Sequence, residues 1–328
     1  MLHCARMSGS SAFCFDWLGI GDLVAITCRA DDLTAYWVGG VATINQSKLA
    51  TSSFCDFVTI TNVWRKDDFL AKGADEFGDR MKAYESVATR DRLEPSLPIC
   101  ARIDGRTFST FTRGCEKPFD ARISNAMRAT CAWLVEETHA KIGYVQSDEI
   151  SLVWQNASGG SVIFDGKVQK MTSVLASMAG VKFYSELGGE ALPAFDCRVW
   201  QVPSQTEAAN TFLWRALDAR KNAVSSACRA HHSAKQMHGK GRLDQVQMLA
   251  DAGIVFETEY PEEDRHGVFF RRVSGEIEID DGTWAKIPEK HRPKSRLAIR
   301  SWTEKLQMPF FGDVKNREAV IFESADPL

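Results

Sequence analysis

Acidic residues stand at the ends of two short apolar segments of this sequence. Asp104 closes the segment LPICARID, and Asp148 and Glu149 lie side by side in GYVQSDEISLVW, between two apolar runs. An unpaired charge next to buried chain is costly, so carboxylates at such places need water or a cation. Acids in tight turns and at strand ends are commonly ordinary turn residues. The spacing by itself therefore leaves two interpretations open, a solvated turn and a metal site.

The elements that must position these acids follow the order βαββαβ. Short apolar runs predict four strands, and apolar residues at helical spacing predict two helices. The strands cover residues 97–104, 142–147, 149–155 and 194–202, and the helices cover residues 118–140 and 164–187. This order predicts an α+β, ferredoxin-like fold, in which an antiparallel sheet carries both helices on one face.

A ferredoxin-like fold would bring the acids together. Its first and third strands are neighbours, so Asp104 would face the hairpin turn at Asp148 and Glu149. Carboxylates held that close raise each other's pKa unless a cation is present. Oxygen ligands, including the backbone carbonyl of Gly105, suit Mg²⁺, and two such ions roughly 3.5–4 Å apart support nucleotidyl transfer. The pattern predicts a site for two Mg²⁺ ions and catalytic roles for the three acids.

Basic residues near these positions are candidates for binding a triphosphate. Arg102 shares the strand face of Asp104, because alternate residues of a strand point the same way. Lys117 precedes the first helix, and Lys167 and Lys170 lie three residues apart on one face of the second. Each of them also fits an ordinary surface position.

These segments resemble the tRNA-histidine guanylyltransferases and their guanylyltransferase-like relatives, which extend RNA in the 3′-to-5′ direction. The resemblance covers roughly residues 75–270 and rests on ARIDGRTFSTF, KPFD, GYVQSDEISLVW, FDGKVQKMTSVLAS, FDCRVWQVP and FLWRALDARKN. It implies a polymerase-like palm domain. In the family, ATP adenylylates the 5′-phosphate of the tRNA, and the 3′-hydroxyl of an incoming GTP then attacks that phosphate.

The resemblance also implies roles for individual residues. Asp104 and Asp148 match metal-binding acids, Gly105 matches a carbonyl ligand, and Glu149 matches the acid beside them. The positions that handle the triphosphate are matched by Arg102, Lys117, Ser147, Lys167 and Lys170. Contact with RNA is expected from Arg215, Arg220, Asn222 and Arg265.

Two departures from the family pattern bear on the substrate. Ser109 stands where GRxFHxF usually has histidine. The HINN signature aligns with residues 220–223, Arg-Lys-Asn-Ala, which keep only its first asparagine, Asn222. HINN accompanies selection of histidine-tRNA ends, so its loss points to relatives that repair truncated tRNA 5′ ends by templated addition. The alternatives are a nucleotide cyclase, against which the KPFD and FDCRVW matches speak, and an inactive RNA-binding relative, against which the retained acids speak.

Composition and charge are those of an ordinary globular protein. The 328 residues are 44% hydrophobic and 25% charged with a net charge of -3, so RNA would be bound by local basic segments such as 292–300. We predict an N-terminal extension of unknown role at 1–70, a palm domain at 71–205, and a helical C-terminal region at 206–328 that completes the catalytic unit. Within the extension, LTAYWVGGVATI predicts a hairpin that turns at Gly39 and Gly40.

Cysteine usage and apolar runs bear on the compartment. The nine cysteines include no Cys-x-x-Cys pair, which disfavours a zinc site or a disulfide framework. No apolar run reaches the roughly 20 residues of a membrane helix, and the first residues lack the regions of a signal peptide. We expect a cytoplasmic protein that binds tRNA, GTP and ATP and no membrane. The resemblance implies a homo-oligomer, a tetramer.

Overall fold

The predicted βαββαβ order is present in the computed structural model of the protein. The structure describes residues 76–158, 160–189 and 192–328, together with the backbone of β1 (Leu23–Arg29) and β2 (Asp32–Val38). The chain divides into two compact units, Met1–Ala83 and Tyr84–Leu328. The second unit contains the predicted palm from Tyr84 onward and the whole predicted C-terminal region, whereas residues 71–83 of the predicted palm fall in the first unit. The boundaries at residues 70 and 205 stay predictions.

In the first unit, β1 and β2 form an antiparallel pair in which Leu23 lies opposite Val38. This pairing joins the strand Asp32–Val38 to the segment before it. The predicted turn at residues 39–40, which would join the same strand to the segment after it, lies outside the described residues. Helix α1 (Glu76–Thr89) crosses from the first unit into the second.

The second unit contains the predicted strands and helices, each within a few residues of its expected bounds. They are β3 (Ile99–Gly105), the short α2 (Phe108–Phe111), α3 (Ala121–Thr138), β4 (Ile142–Gln146), β5 (Glu149–Trp154), α4 (Val168–Glu186) and β6 (Phe195–Gln201). A 3-10 turn at Ile163–Gly166 precedes α4.

The C-terminal part of the second unit is helical at first and then adds two strands. Its elements are α5 (Gln205–His231), α6 (Ala234–Met237), α7 (Arg242–Asp251), α8 (Phe256–Glu259), α9 (Glu262–His266), β7 (Val268–Glu278), α10 (Asp281–Lys286), a 3-10 turn (Glu289–His291), β8 (Leu297–Leu306) and α11 (Arg317–Phe322).

The sheet has the strand order β6-β3-β5-β4-β7-β8, and every neighbouring pair is antiparallel. Its first four strands have the predicted ferredoxin-like arrangement, with β3 and β5 adjacent. The last two strands extend the sheet from β4, and the sequence analysis misses them. Only the first three residues of β7 are buried, so most of this strand lacks the apolar alternation that marks a strand in sequence.

Two hydrophobic layers cover the sheet. Ile99, Ala101 and Ile103 of β3 face one layer, which includes buried residues of α3 and α4, as the fold predicts. Cys100 faces the other layer, which includes Phe212 of α5. Fully burying a large apolar side chain stabilises a fold by roughly 1.5–3 kcal/mol. Because α5 covers the face that carries the even-numbered residues of β3, it also lies over Arg102 and Asp104.

Helix α5 begins with a side-chain cap and links two cores. The Oγ of Ser204 accepts a hydrogen bond from the backbone N–H of Glu207 at 3.2 Å, an N-cap that stabilises a helix by about 1 kcal/mol. Its first half packs on the sheet, and its second half packs on Leu249 of α7 and Phe256 of α8. None of the described helices combines the length and apolar character needed to cross a bilayer.

Candidate active site

Three strands bring acidic residues to one end of the sheet. Asp104 of β3 lies directly opposite Glu149 of β5 on one side and Asp196 of β6 on the other. The backbone N–H of Gly105 donates to the backbone carbonyl of Asp148 at 3.1 Å. Asp104, Asp148 and Glu149 line a single cavity of about 370 Å³. The juxtaposition that the topology predicts is therefore present in the described chain.

A two-residue turn sets the position of Asp148. Gln146 pairs with Glu149, which leaves Ser147 and Asp148 to form the turn between β4 and β5. Ser147 has a φ of 48°, and tight hairpin turns of this length require a positive φ. Its Oγ donates to Oδ1 of Asp148 at 3.0 Å. The turn therefore orients the carboxylate as well as reversing the chain.

Gly105 permits the close approach of β3 to that turn. A Cβ atom at this position would lie 2.5 Å from Cδ2 of Phe108 and 3.0 Å from Cβ of Asp148. Both separations are shorter than van der Waals contact, so any side chain would push the strand and the turn apart. The absence of a side chain therefore lets the backbone at residue 105 lie close to Asp148.

The two aspartates have an electrostatic environment that a cation would improve. Burial raises the pKa of Asp104, the charge of Asp196 adds to the effect, and the charges of three nearby arginines oppose it only in part. Burial also raises the pKa of Asp148, and the charge of Asp104 acts in the same direction. Within the described part of the chain, the Asp104 carboxylate has no hydrogen bond or ion pair. Both carboxylates are thus partly desolvated, and the charge of Asp104 is not neutralised by a close partner.

This donor set fits a magnesium ion that arrives with a nucleotide. Among the described residues, no three side chains of histidine, cysteine, aspartate or glutamate gather as a metal site. Two carboxylates and one backbone carbonyl are the protein ligands on offer. Mg²⁺ is commonly held by one or two carboxylates while water and substrate phosphates complete its coordination. The residues therefore fit Mg²⁺ better than a metal that needs a full protein cage.

Glu149 has a different environment from the two aspartates. Both of its carboxylate oxygens accept hydrogen bonds from Arg215, at 2.6 and 2.7 Å, and only 5% of the residue is exposed. Burial raises the pKa of Glu149, and Arg215 opposes the shift. Its catalytic role stays a prediction. In this geometry Glu149 anchors a guanidinium, and both of its oxygens are already in use.

Helix α5 supplies the other wall of the cavity. Arg215 also donates to Oδ2 of Asp218 at 3.0 Å, and that oxygen accepts a second bond from Asn222 at 3.2 Å. All three residues line the cavity with the carboxylates. Sequence reasoning assigns Arg215 and Asn222 to RNA and gives Asp218 no role. The spacing of 215, 218 and 222, which places them on one helix face, is the signal that could have grouped them.

Three of the predicted triphosphate ligands lie in this region. Arg102 and Ser147 line the carboxylate cavity. Lys117 lines an adjoining cavity of about 130 Å³, which shares Ser147 and Asn222 with the first. The Nζ of Lys117 donates to the backbone carbonyl of Thr112 at 2.9 Å. These three positions can therefore contribute positive charge or hydrogen bonds around the two cavities.

Lys167 and Lys170 line neither cavity. The backbone of Lys167 forms an isolated antiparallel β-bridge with the backbone of Arg92. The Nζ of Lys170 lies 5.1 Å from the centre of the Phe164 ring. The physical reason is chain direction, because β5 starts at Glu149 and runs away from the acids before α4 begins. The single chain does not bring these lysines to Asp104, and their assignment to a triphosphate stays a prediction.

Arg220 and Arg265 are held by contacts within the C-terminal region. Arg220 donates to Glu257 at 3.0 Å, and Arg265 donates to the other oxygen of Glu257 and to the backbone carbonyl of Tyr260. The Arg265 side chain is 13% exposed. Arg265 therefore joins helices α8 and α9, and its contact with RNA stays a prediction.

Comparison with known proteins shows which family this chain is similar to. Residues 78–203 match the family described as Thg1, the tRNA(His) guanylyltransferases. A bacterial tRNA(His) guanylyltransferase (Thg1)-like protein in complex with ATP is 35% identical, with a TM-score of 0.56, over 60% of this chain and 87% of that one. This chain belongs to the tRNA(His) guanylyltransferase family. It is a guanylyltransferase-like nucleotidyltransferase.

This guanylyltransferase-family protein aligns with different shares of its other relatives. A bacterial Thg1-like protein in complex with GTP is 31% identical, with a TM-score of 0.55, over 73% of this chain and 94% of that one. The tRNA(His) guanylyltransferase of Schizosaccharomyces pombe is 31% identical over 47% of this chain and 59% of its own length. An uncharacterized protein of Acanthamoeba polyphaga mimivirus is 30% identical over 60% of this chain and 76% of its own.

Proposed function

We propose that this nucleotidyltransferase adds nucleotides to the 5′ end of tRNA in the 3′-to-5′ direction, with ATP, GTP and Mg²⁺ as reactants and cofactor. The observation that carries the proposal is the meeting of Asp104 and Asp148 in one cavity, next to Gly105, whose backbone N–H donates to the carbonyl of Asp148. The ATP and GTP complexes of the bacterial relatives support nucleotide binding. The family match supports tRNA as the acceptor.

The proposed chemistry has two phosphoryl transfers. In the first, an oxygen of the tRNA 5′-phosphate attacks the α-phosphorus of ATP, the bond to the β-phosphate breaks, and pyrophosphate leaves. In the second, the 3′-hydroxyl of GTP loses its proton and attacks the activated 5′-phosphorus, and AMP leaves. The new phosphodiester joins the incoming nucleotide in front of the old 5′ end. A hydrolysis follows, in which water attacks the α-phosphorus of that nucleotide's triphosphate and pyrophosphate leaves, so that a 5′-monophosphate remains.

The chain's own residues have separate tasks in this scheme. Asp104, Asp148 and the carbonyl of Gly105 would hold Mg²⁺, which neutralises triphosphate charge and lowers the pKa of an attacking hydroxyl. Ser147 holds the Asp148 carboxylate in place through its 3.0 Å hydrogen bond. Arg215, fixed by Glu149 and Asp218, forms part of the cavity wall and balances part of its negative charge.

We favour repair of truncated 5′ ends over addition to intact histidine tRNA. The position of the histidine in HINN is occupied by Arg220, whose guanidinium binds Glu257 and lies 4.9 Å from the Phe310 ring centre. A side chain committed to these contacts is not placed for a histidine's interactions with the tRNA end. The second candidate, addition of a single G to intact histidine tRNA, would require another residue to supply that recognition.

The experiment compares two labelled substrates, a full-length tRNA and the same tRNA without its first nucleotide, each incubated with ATP, GTP and Mg²⁺. We expect extension mainly of the truncated tRNA. Asp104→Asn and Asp148→Asn should each lower the rate by at least about a hundredfold, since a metal ligand matters no less than its supporting residues. Asp313→Asn, at an exposed position elsewhere in the unit, is the matched control. Turnover of free nucleotide without extension of either RNA would contradict the proposal and favour a cyclase.

A further inference from the structure

Trp214 is an exposed aromatic residue at the edge of the carboxylate cavity. Although 53% of it is exposed, its ring lies close to two guanidinium groups, at 4.5 Å from Arg215 and 5.4 Å from Arg102. Both arginines line the cavity. Asp218, one helical turn after Trp214, lines it too. The indole therefore stands beside the proposed site of phosphoryl transfer.

The surface around Trp214 combines an aromatic ring with positive charge. Trp214, Leu217 and Lys221 recur at helical spacing and are all exposed, so they form one stripe on α5. Arg198, which lies opposite Arg102 on the edge strand β6, is about half exposed. Nucleic acid strands without partners are bound by surfaces of this kind, where bases stack on aromatic rings and cations follow the backbone.

We propose that Trp214 is a stacking platform for an unpaired nucleobase at the tRNA end, an inference that rests on the proposed function. The base lies on the indole, and its phosphate lies towards Arg102 or Lys221. An exposed indole next to a cavity lined by charged residues costs free energy in water, and a stacked base would cover it. A truncated 5′ end leaves the facing nucleotide without a partner, so the platform suits the substrate that repair requires.

The charges nearby favour RNA over an apolar protein partner. The ring is bordered by Arg102 and Arg215, and the same helix face continues to Lys221. Arg215 is already paired with Glu149 and Asp218. Lys221 has no ion pair among the described residues, so an apolar partner that covered the stripe would bury this cation without neutralising it, which is costly. A base with its phosphate covers the ring and neutralises charge in the same step.

The test measures binding of a short single-stranded oligoadenylate and of a blunt-ended RNA hairpin to the full chain. Trp214→Ala should weaken oligoadenylate binding by about tenfold or more, as expected for loss of one stacked base. Trp214→Phe keeps an aromatic face and should retain most of the affinity. Leu217→Ala, equally exposed on the same stripe, should bind as the unmodified chain does, and the blunt hairpin should be indifferent to all three changes. Thermal unfolding checks that each variant is folded.

Several outcomes would overturn the platform. They are no measurable binding of oligoadenylate by the unmodified chain, equal affinity in Trp214→Ala, or a loss in Leu217→Ala that matches the loss in Trp214→Ala. The last result, if accompanied by a change in oligomeric state, would assign the stripe to contact between copies. Extension of truncated tRNA by the unmodified chain is measured in parallel. If the unmodified chain extends truncated tRNA while Trp214→Ala binds oligoadenylate as tightly as the unmodified chain, the platform fails and the proposed function stands. If Trp214→Ala loses oligoadenylate binding but the unmodified chain extends no tRNA, the proposed function alone is rejected.

Discussion

Asp148 and Glu149 are neighbours in sequence, yet their side chains have different partners. Asp148 accepts a hydrogen bond from Ser147 and faces Asp104, whereas Glu149 accepts hydrogen bonds from Nε and Nη2 of Arg215. The alternation of side chains at the start of β5 separates them. At the scale of single residues, the site therefore divides into a metal-facing pair and a buried ion pair that supports it.

The buried ion pair gives a prediction about stability. Arg215→Ala would remove both hydrogen bonds to the buried Glu149 and leave it only the ion pair with Arg102, whose Nε lies 3.8 Å from Oε2. We expect the free energy of unfolding to fall by about 3–5 kcal/mol in urea titrations. Replacing both residues, with Glu149→Leu and Arg215→Met, should cost less than the single change. The exposed pair of Arg296 and Asp281 is the control, where Arg296→Ala should change stability by about 0–1 kcal/mol. A loss of that small size in Arg215→Ala would show that the pair is not structural.

Removal of one acid should stabilise the metal-free chain. Because the folded-state pKa of Asp104 is raised, its charge opposes folding at neutral pH. This cost shrinks as pH falls through the raised pKa and is gone below the pKa of the unfolded chain. Asp104→Asn should therefore raise the Tm by about 2–4 °C for each kcal/mol gained, measured with a chelator present. Added Mg²⁺ should stabilise the unmodified chain and not the variant. An unchanged or lower Tm at neutral pH would contradict this account.

At the scale of elements, the decisive contact is that between the end of β3 and the turn between β4 and β5. It depends on a hydrogen bond from Gly105 to Asp148 and on the lack of a side chain at residue 105. The helices act at a distance from this contact. α3 and α4 fix the sheet from one face, and α5 closes the cavity from the other.

Gly105→Ala tests how closely β3 and the turn must approach. The added Cβ would overlap with Phe108 and Asp148. We expect the overlap to lower the free energy of unfolding by about 1–3 kcal/mol. We expect Mg²⁺-dependent extension to fall at least about tenfold, since the ligands would separate. Gly114→Ala is the matched control, because its Cβ would meet nothing within 4 Å. Full activity in Gly105→Ala would show that the turn can yield without harm to the site.

At the scale of the whole second unit, the sheet does not end where the βαββαβ pattern ends. β7 pairs with β4, and Phe269 of β7 contacts Tyr144, Phe212 and Phe311 in the layer below the sheet. This layer also contains α5 and residues from the last helix. The catalytic cavity thus depends on residues from both regions that the sequence analysis separates at residue 205.

A fragment ending at residue 205 should therefore fail to fold by itself. It would lack β7 and α5, leaving β4 as an open edge strand and one face of the sheet uncovered. We expect broad, poorly dispersed amide signals for residues 76–205 and well-dispersed signals for residues 76–328, measured by NMR. Cooperative unfolding of the shorter fragment would show that the palm is an independent domain.

The sequence by itself determined the ferredoxin-like order, the acids at its strand ends and the family. These features are local, because alternation, helical spacing and short motifs each involve residues that are close together in sequence. Tertiary structure decided that Glu149 is tied to Arg215, that Asp218 and Trp214 flank the cavity, that Lys167 and Lys170 lie apart from it, and that two more strands complete the sheet. Each of these depends on chain direction or on contacts between residues far apart in sequence, which no local pattern records.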